Sequence, residues 1–102
     1  MTAPPSEIKE LQRAVERLHN CSATYVRNAD VREEFGGRVV WEGTVSVFNV
    51  THPDASTCYA WSSPVEGSAR RRYYAILGKS PIQTAVDAVR ATIAADHRNA
   101  PR

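Results

Sequence analysis

At 102 residues and 11.3 kDa the chain has length for one domain with one core, which excludes multidomain machinery. Hydrophobic residues at 42% and charged residues at 24% exclude a disordered, collagen-like or disulfide-packed chain. Thirteen Lys and Arg against eleven Asp and Glu leave a net charge of +2, too little for a general electrostatic grip on nucleic acid.

The first segment with a helical period runs from about Ser6 to His19. Ile8, Leu11, Val15 and Leu18 recur at spacings of three and four and predict an amphipathic helix that buries this stripe. Pro5 and Ser6 stand where helix-initiating residues belong, and Glu7 and Glu10 favour the positive end of the helix dipole. From Cys21 to Val50 the period falls to two, and Thr24, Tyr25, Val26, Val31, Phe35 and the run from Val39 onward predict strands. Phe35-Gly36-Gly37-Arg38 offers two residues free to take positive φ and predicts a hairpin turn. A bulge is expected near Asn28.

Between Val39 and Val50, alternation puts Val39, Trp41, Val45 and Val47 on a core-facing side, with Glu42, Thr44 and Ser46 opposite. Gly43 interrupts that side as a bulge would, and Phe48 falls among the polar positions. Thr51 to Ser56, built on Pro53-Asp54, predicts a turn into a third strand from Thr57 to Ser63. Pro64 to Ala69 reads as a loop and Tyr73 to Leu77 as the last strand. Ser80-Pro81-Ile82-Gln83 then has the form of a capping box, and Ile82, Val86, Val89 and Ile93 form the buried stripe of a second helix, with Asp87 and Arg90 outside and fraying expected near His97.

The expected fold class is therefore α+β: an N-terminal helix, a three- or four-stranded antiparallel sheet and a C-terminal helix, both helices on one face of the sheet. A single domain spans residues 1–102, with 1–5 and 98–102 as flexible tails. On this reading the other sheet face is uncovered. The sheet carries Trp41, Tyr59, Trp61, Tyr73 and Tyr74; Tyr59 and Trp61 share a face, and Tyr73 and Tyr74 point opposite ways.

The segment Met1 to Glu10 has no apolar stretch of signal-peptide type, and no run approaches the roughly 20 apolar residues of a membrane helix, so a cytoplasmic protein without membrane contact is expected. There Cys21 and Cys58 read as reduced, buried thiols. Two cysteines without a CxxC spacing make no zinc site, and neither a metal nor a cofactor is expected.

Val39-Val40-Trp41-Glu42-Gly43-Thr44-Val45-Ser46-Val47-Phe48, His52-Pro53-Asp54-Ala55 and Cys58-Tyr59-Ala60-Trp61-Ser62 resemble a group of short bacterial hypothetical proteins over roughly Cys21 to Ala95. That resemblance implies a single domain and attaches no activity, cofactor or catalytic residue. The order helix, strands, helix is separately similar to the double-stranded RNA-binding domain. That family clamps phosphates with a lysine cluster at the start of its second helix, where this chain has only Lys79 before Ser80-Pro81.

Several segments suggest chemistry, each with a plainer alternative. His52-Pro53-Asp54 spells the tripeptide of J-domain co-chaperones, but flanking strands make it a turn. Gly78-Lys79-Ser80 matches the end of a phosphate-binding loop, yet Tyr73 occupies the position of the first glycine, leaving a helix start beside a lysine. Arg70-Arg71-Arg72 followed by Tyr73-Tyr74 joins guanidiniums to aromatic rings, as a phosphate-tracking, base-stacking surface would; the alternative is a solvated hairpin base. His19, His52 and His97 are isolated in sequence, a Cys58 and His52 thiol site is an option, and Glu33, Glu34 and Glu42 read either as paired carboxylates or, more ordinarily, as strand-rim charges. The favoured reading is a non-enzymatic protein that self-associates or binds a protein partner through an exposed aromatic sheet face, with Trp41, Tyr59, Trp61, Arg70, Arg72, Tyr73 and Tyr74 as binding residues. A nucleic-acid module centred on Arg70 to Tyr74, or a small-molecule binder or minor enzyme with a pocket near Tyr59 and Trp61, are the alternatives.

Overall fold

The structure, a computed structural model, describes residues 5–65 and 67–99, with side chains described for residues 7–65 and 67–95. Six elements follow in chain order: α1 (Pro5–His19), β1 (Ala23–Phe35), β2 (Arg38–Val50), β3 (Thr57–Pro64), β4 (Arg71–Leu77) and α2 (Ala85–Asn99). The strands form one antiparallel sheet in the order β1-β2-β3-β4. The α+β class, the two helices and the fourth strand stand as the sequence leads one to expect. Of the expected tails, residues 1–4 and 100–102 lie outside the described residues, while Pro5 and residues 98–99 are helical; helix thus runs past His97.

The expected placement of both helices on one face is corrected. Side chains alternate along a strand, and directly paired residues share a face. Phe48 pairs with Cys58 and Cys58 with Leu77; these side chains join Ala23, Ala60 and Ala75 against Leu11 and Val15 of α1. Val47 pairs with Tyr59 and Tyr59 with Ile76; these join Val31, Val45 and Trp61 against Ala85, Ala88 and Val89 of α2. The sheet is sandwiched between helices. The physical reason lies in β2 and β3, whose central residues Val45–Phe48 and Cys58–Trp61 are buried consecutively instead of alternately. Phe48, expected among polar positions, is fully buried beneath α1.

Local corrections follow the same logic. Gly36 and Gly37 make the hairpin turn at φ 61° and 78°. The irregularities in the β1–β2 register fall at Val26 and Val40; the expected positions were Asn28 and Gly43. At Gly43 the Trp41 ring lies close over the backbone: a Cβ there would stand 3.1 Å from Trp41 Cη2, so a side chain would press the ring outward by a few tenths of an ångström. In α1 the inward residues are Leu11, Ala14 and Val15, whereas Leu18 is 56% exposed and His19 takes the inward position of the last turn. α2 begins five residues after Ser80. Thr84 Oγ1 accepts from the Asp87 N–H (3.1 Å) and Asp87 Oδ2 from the Gln83 N–H (3.1 Å), which satisfies the first turn, while Lys79 to Ile82 forms a separate turn. Glu33 is no rim charge: it is 8% exposed and ion-paired with Arg90 of α2.

Candidate functional site

Of the aromatic residues expected from sequence, Trp41, Tyr59, Trp61 and Tyr74 come together on the α2 side, under cover, and Tyr73 lies on the other face. Trp61 is 2% exposed and is gripped by two rings, Tyr74 stacked at 5.2 Å and 14° and Trp41 edge-on at 5.9 Å and 70°. The Arg72 guanidinium carbon lies 5.1 Å from the Tyr74 ring centre, so Arg72, Tyr74, Trp61 and Trp41 form one continuous stack on the α2 side. Tyr59 is buried, and its hydroxyl donates to the Gln83 carbonyl at 2.9 Å. Tyr73 points to the α1 side, where its hydroxyl donates to Glu10 Oε2 at 3.0 Å; that hydrogen bond, ahead of burial, raises the Tyr73 phenol above its usual range. The expected uncovered aromatic face is thus occupied by the chain's own α2, whose Ala85, Ala88 and Val89 pack with Tyr59 and Trp61.

Arg70, Arg71 and Arg72 are exposed, yet they do not form one surface. Arg71 lies on the α1 side, donating from Nε to Ser62 Oγ (2.9 Å) and from a terminal nitrogen to the Ser62 carbonyl (3.3 Å). Arg72 lies on the opposite side over Tyr74.

The exposed apolar surface is elsewhere. β2 pairs with β3 only over Ser46–Asn49, so from Arg38 to Val45 its ladder partner is β1 alone, and the β1–β2 hairpin extends as an arm. At its tip Phe35 is 80% exposed, with Val39 at 46% and Val40 at 48% beside it. Val39, expected in the core, sits outside because the extra residue at Val40 breaks the alternation beyond Trp41. Charges of both signs ring this tip: Arg32 Nε reaches Glu34 at 3.2 Å and Glu42 at 3.5 Å, and Arg38 is exposed next to the turn. The outer strands β1 and β4 instead present charged residues such as Arg27, Arg32, Arg71 and Arg72 along their length, an ordinary guard against edge pairing.

A cleft of about 540 Å³ opens at the other end of the sheet, lined by His19, His52, Asp54, Lys79, Ser80 and the apolar residues Ala75, Ile76, Leu77, Pro81 and Ile82. Two histidines 33 positions apart in sequence meet here edge to face, ring centres 6.1 Å apart. Helix α1 delivers His19 because Asn20 takes φ 50° and the Cys21 N–H returns to the Glu16 carbonyl (3.3 Å), a left-handed helix stop. His19 Nε2 lies 2.7 Å from the Ala75 carbonyl, so in the neutral ring the hydrogen is on Nε2. His52 Nδ1 accepts the Asp54 N–H at 3.0 Å within the Pro53-Asp54 turn, which leaves its hydrogen on Nε2. His52 therefore offers a donor, not a metal-binding lone pair, and no three His, Cys, Asp or Glu side chains gather as a metal set among the described residues.

Cys21 and Cys58 are free thiols. Cys58 belongs to the α1-side core with no exposed surface and serves as packing there. Two features escaped sequence reasoning. A phenylalanine abutting the turn glycines, where polar residues are usual, was the available signal for the arm tip; the histidine pair leaves no sequence signal, because only the fold joins the end of α1 to the β2–β3 turn. Comparison with known protein families, characterised proteins and solved structures finds no match to this chain.

Proposed function

We propose that this chain is a non-catalytic interaction module that pairs with a second copy of itself through the tip of the β1–β2 arm. The observation that carries this reading is Phe35, 80% exposed beside Val39 and Val40, in a chain whose other large aromatic residues are covered or partly covered. What favours a second copy as occupant is the rim: Arg32 and Arg38 stand among Glu34 and Glu42, so the tip carries both signs and a two-fold arrangement can bring opposite charges together. A net charge of +2 adds little self-repulsion.

Sedimentation of the full chain over a range of concentrations tests it. The expected result is a monomer–dimer equilibrium that Phe35→Asp shifts to monomer while leaving the urea midpoint unchanged, because Phe35 contributes little to the fold. A wild-type chain that stays monomeric at high concentration, or a dimer indifferent to Phe35→Asp, overturns it. Retention on immobilised RNA at low salt, lost steeply as salt rises, instead selects the guanidinium cluster at Arg70, Arg71 and Arg72 as the working surface.

A further inference from the structure

The cleft at His19 and His52 lies at the far end of the sheet from the arm and takes no part in the pairing proposed above. We propose that it is a binding site for a small monocarboxylate with an apolar body. Its volume of about 540 Å³ falls in the range that holds small organic ligands, and its lining divides in the manner such a ligand requires. Ala75, Ile76 and Leu77 from β4, with Pro81 and Ile82 from the turn before α2, supply the apolar part. The polar part is dominated by donors: the Lys79 ammonium, which makes no ion pair among the described residues, the Ser80 hydroxyl, and the His52 Nε2–H left over when Nδ1 accepts the Asp54 N–H. His19 is held against the Ala75 carbonyl and keeps Nδ1 open.

Asp54 is the one carboxylate in the lining, and it sets the charge of the ligand. Lys79 is the one ammonium in the lining and can match one negative charge; each further charge, as on phosphate, finds no cation and adds to the repulsion from Asp54. The site thus selects one charge carried on an apolar frame. Lys79 anchors the carboxylate and the wall of Ile76, Leu77 and Ile82 holds the frame.

Sodium phenylacetate is the probe, titrated into the isotope-labelled full chain at neutral pH and followed by amide and imidazole chemical shifts. The expected result is a saturable shift at Ile76, Leu77, Lys79, Ile82 and the His52 ring, with a dissociation constant of about 1 mM or below. Lys79→Ala, at an exposed position, weakens it about fivefold or more with the spectrum otherwise preserved, and uncharged 2-phenylethanol binds more weakly by a similar factor. Absence of saturation, equal affinity in the Lys79→Ala chain, equal binding of 2-phenylethanol, or inorganic phosphate binding as tightly as phenylacetate overturns the proposal. Because Phe35→Asp leaves this end of the molecule untouched, the titration gives the same answer whether or not the chain dimerises.

Discussion

Cys58 has no exposed surface, and burial, with the nearby Cys21 adding and the Tyr59 backbone hydrogen bond opposing, pushes its thiol from 9.0 up to about 12. Below pH 9 the thiol is protonated in folded and unfolded chains alike, and its contribution to stability is fully present. Above pH 9 the unfolded chain releases the proton while the folded chain holds it, so stability falls as pH rises toward 12, by about 1.4 kcal/mol per unit for this one group. Urea midpoints measured between pH 8 and 10.5 are expected to fall more steeply for the wild type than for Cys58→Ala; parallel curves would contradict this assignment. Glu33 shows a second single-residue effect. It is buried and its partner Arg90 lies 57 positions away, whereas the Arg32 bridges to Glu34 and Glu42 are all exposed. Arg90→Ala, which strands a buried carboxylate, is expected to cost about 1–3 kcal/mol, and Arg32→Ala less than about 1 kcal/mol; chemical denaturation of the two variants side by side reads the difference.

Among the elements, β2 carries the largest lesson. Its inner half serves two cores at once, Val45 and Val47 toward α2, Phe48 and Val50 toward α1. Phe48→Ala is therefore expected to cost about 3–5 kcal/mol, comparable with Trp61→Ala on the other face; a near-neutral result in thermal or urea unfolding would mean that α1 does not seal its side. Much of the local structure was legible in the sequence: the Gly36-Gly37 turn, the Leu11 and Val15 stripe, and the strands at Thr57 and Tyr73 follow from backbone freedom and residue period. The side on which each helix packs was not. Period two reports which residues share a face but not how many faces are buried, and the clue, apolar residues at successive positions in Val47-Phe48 and Cys58-Tyr59-Ala60-Trp61, passes for a strand with one irregular position. The start of α2 was displaced for a similar reason: Ser80-Pro81 and Thr84-Ala85-Val86-Asp87 both carry helix-start chemistry, and the hydrogen bonds formed by Thr84 and Asp87 decide between them.

For the whole molecule, both sheet faces are covered by helices, and the exposed arm tip and the His19–His52 cleft lie at opposite ends of the sheet. Tyr74, Trp61 and Trp41 form one stack with Arg72 and pack against α2, while Tyr73 turns to α1. The arm tip and the His19–His52 cleft are products of tertiary geometry. One arises where β2 leaves β3 and the other where distant turns converge, and neither is written in a local pattern.

That parting of β2 from β3 also bears on how the chain assembles. Only four residue pairs, Ser46–Asn49 with Thr57–Ala60, stitch the first hairpin to the second, while each hairpin zips between segments adjacent in the chain. The two ribbons can therefore form early and separately, with short loops to close. The contacts with the longest loops to close are those of the two helices, α1 touching all four strands on one face and α2 joining residues of all four on the other.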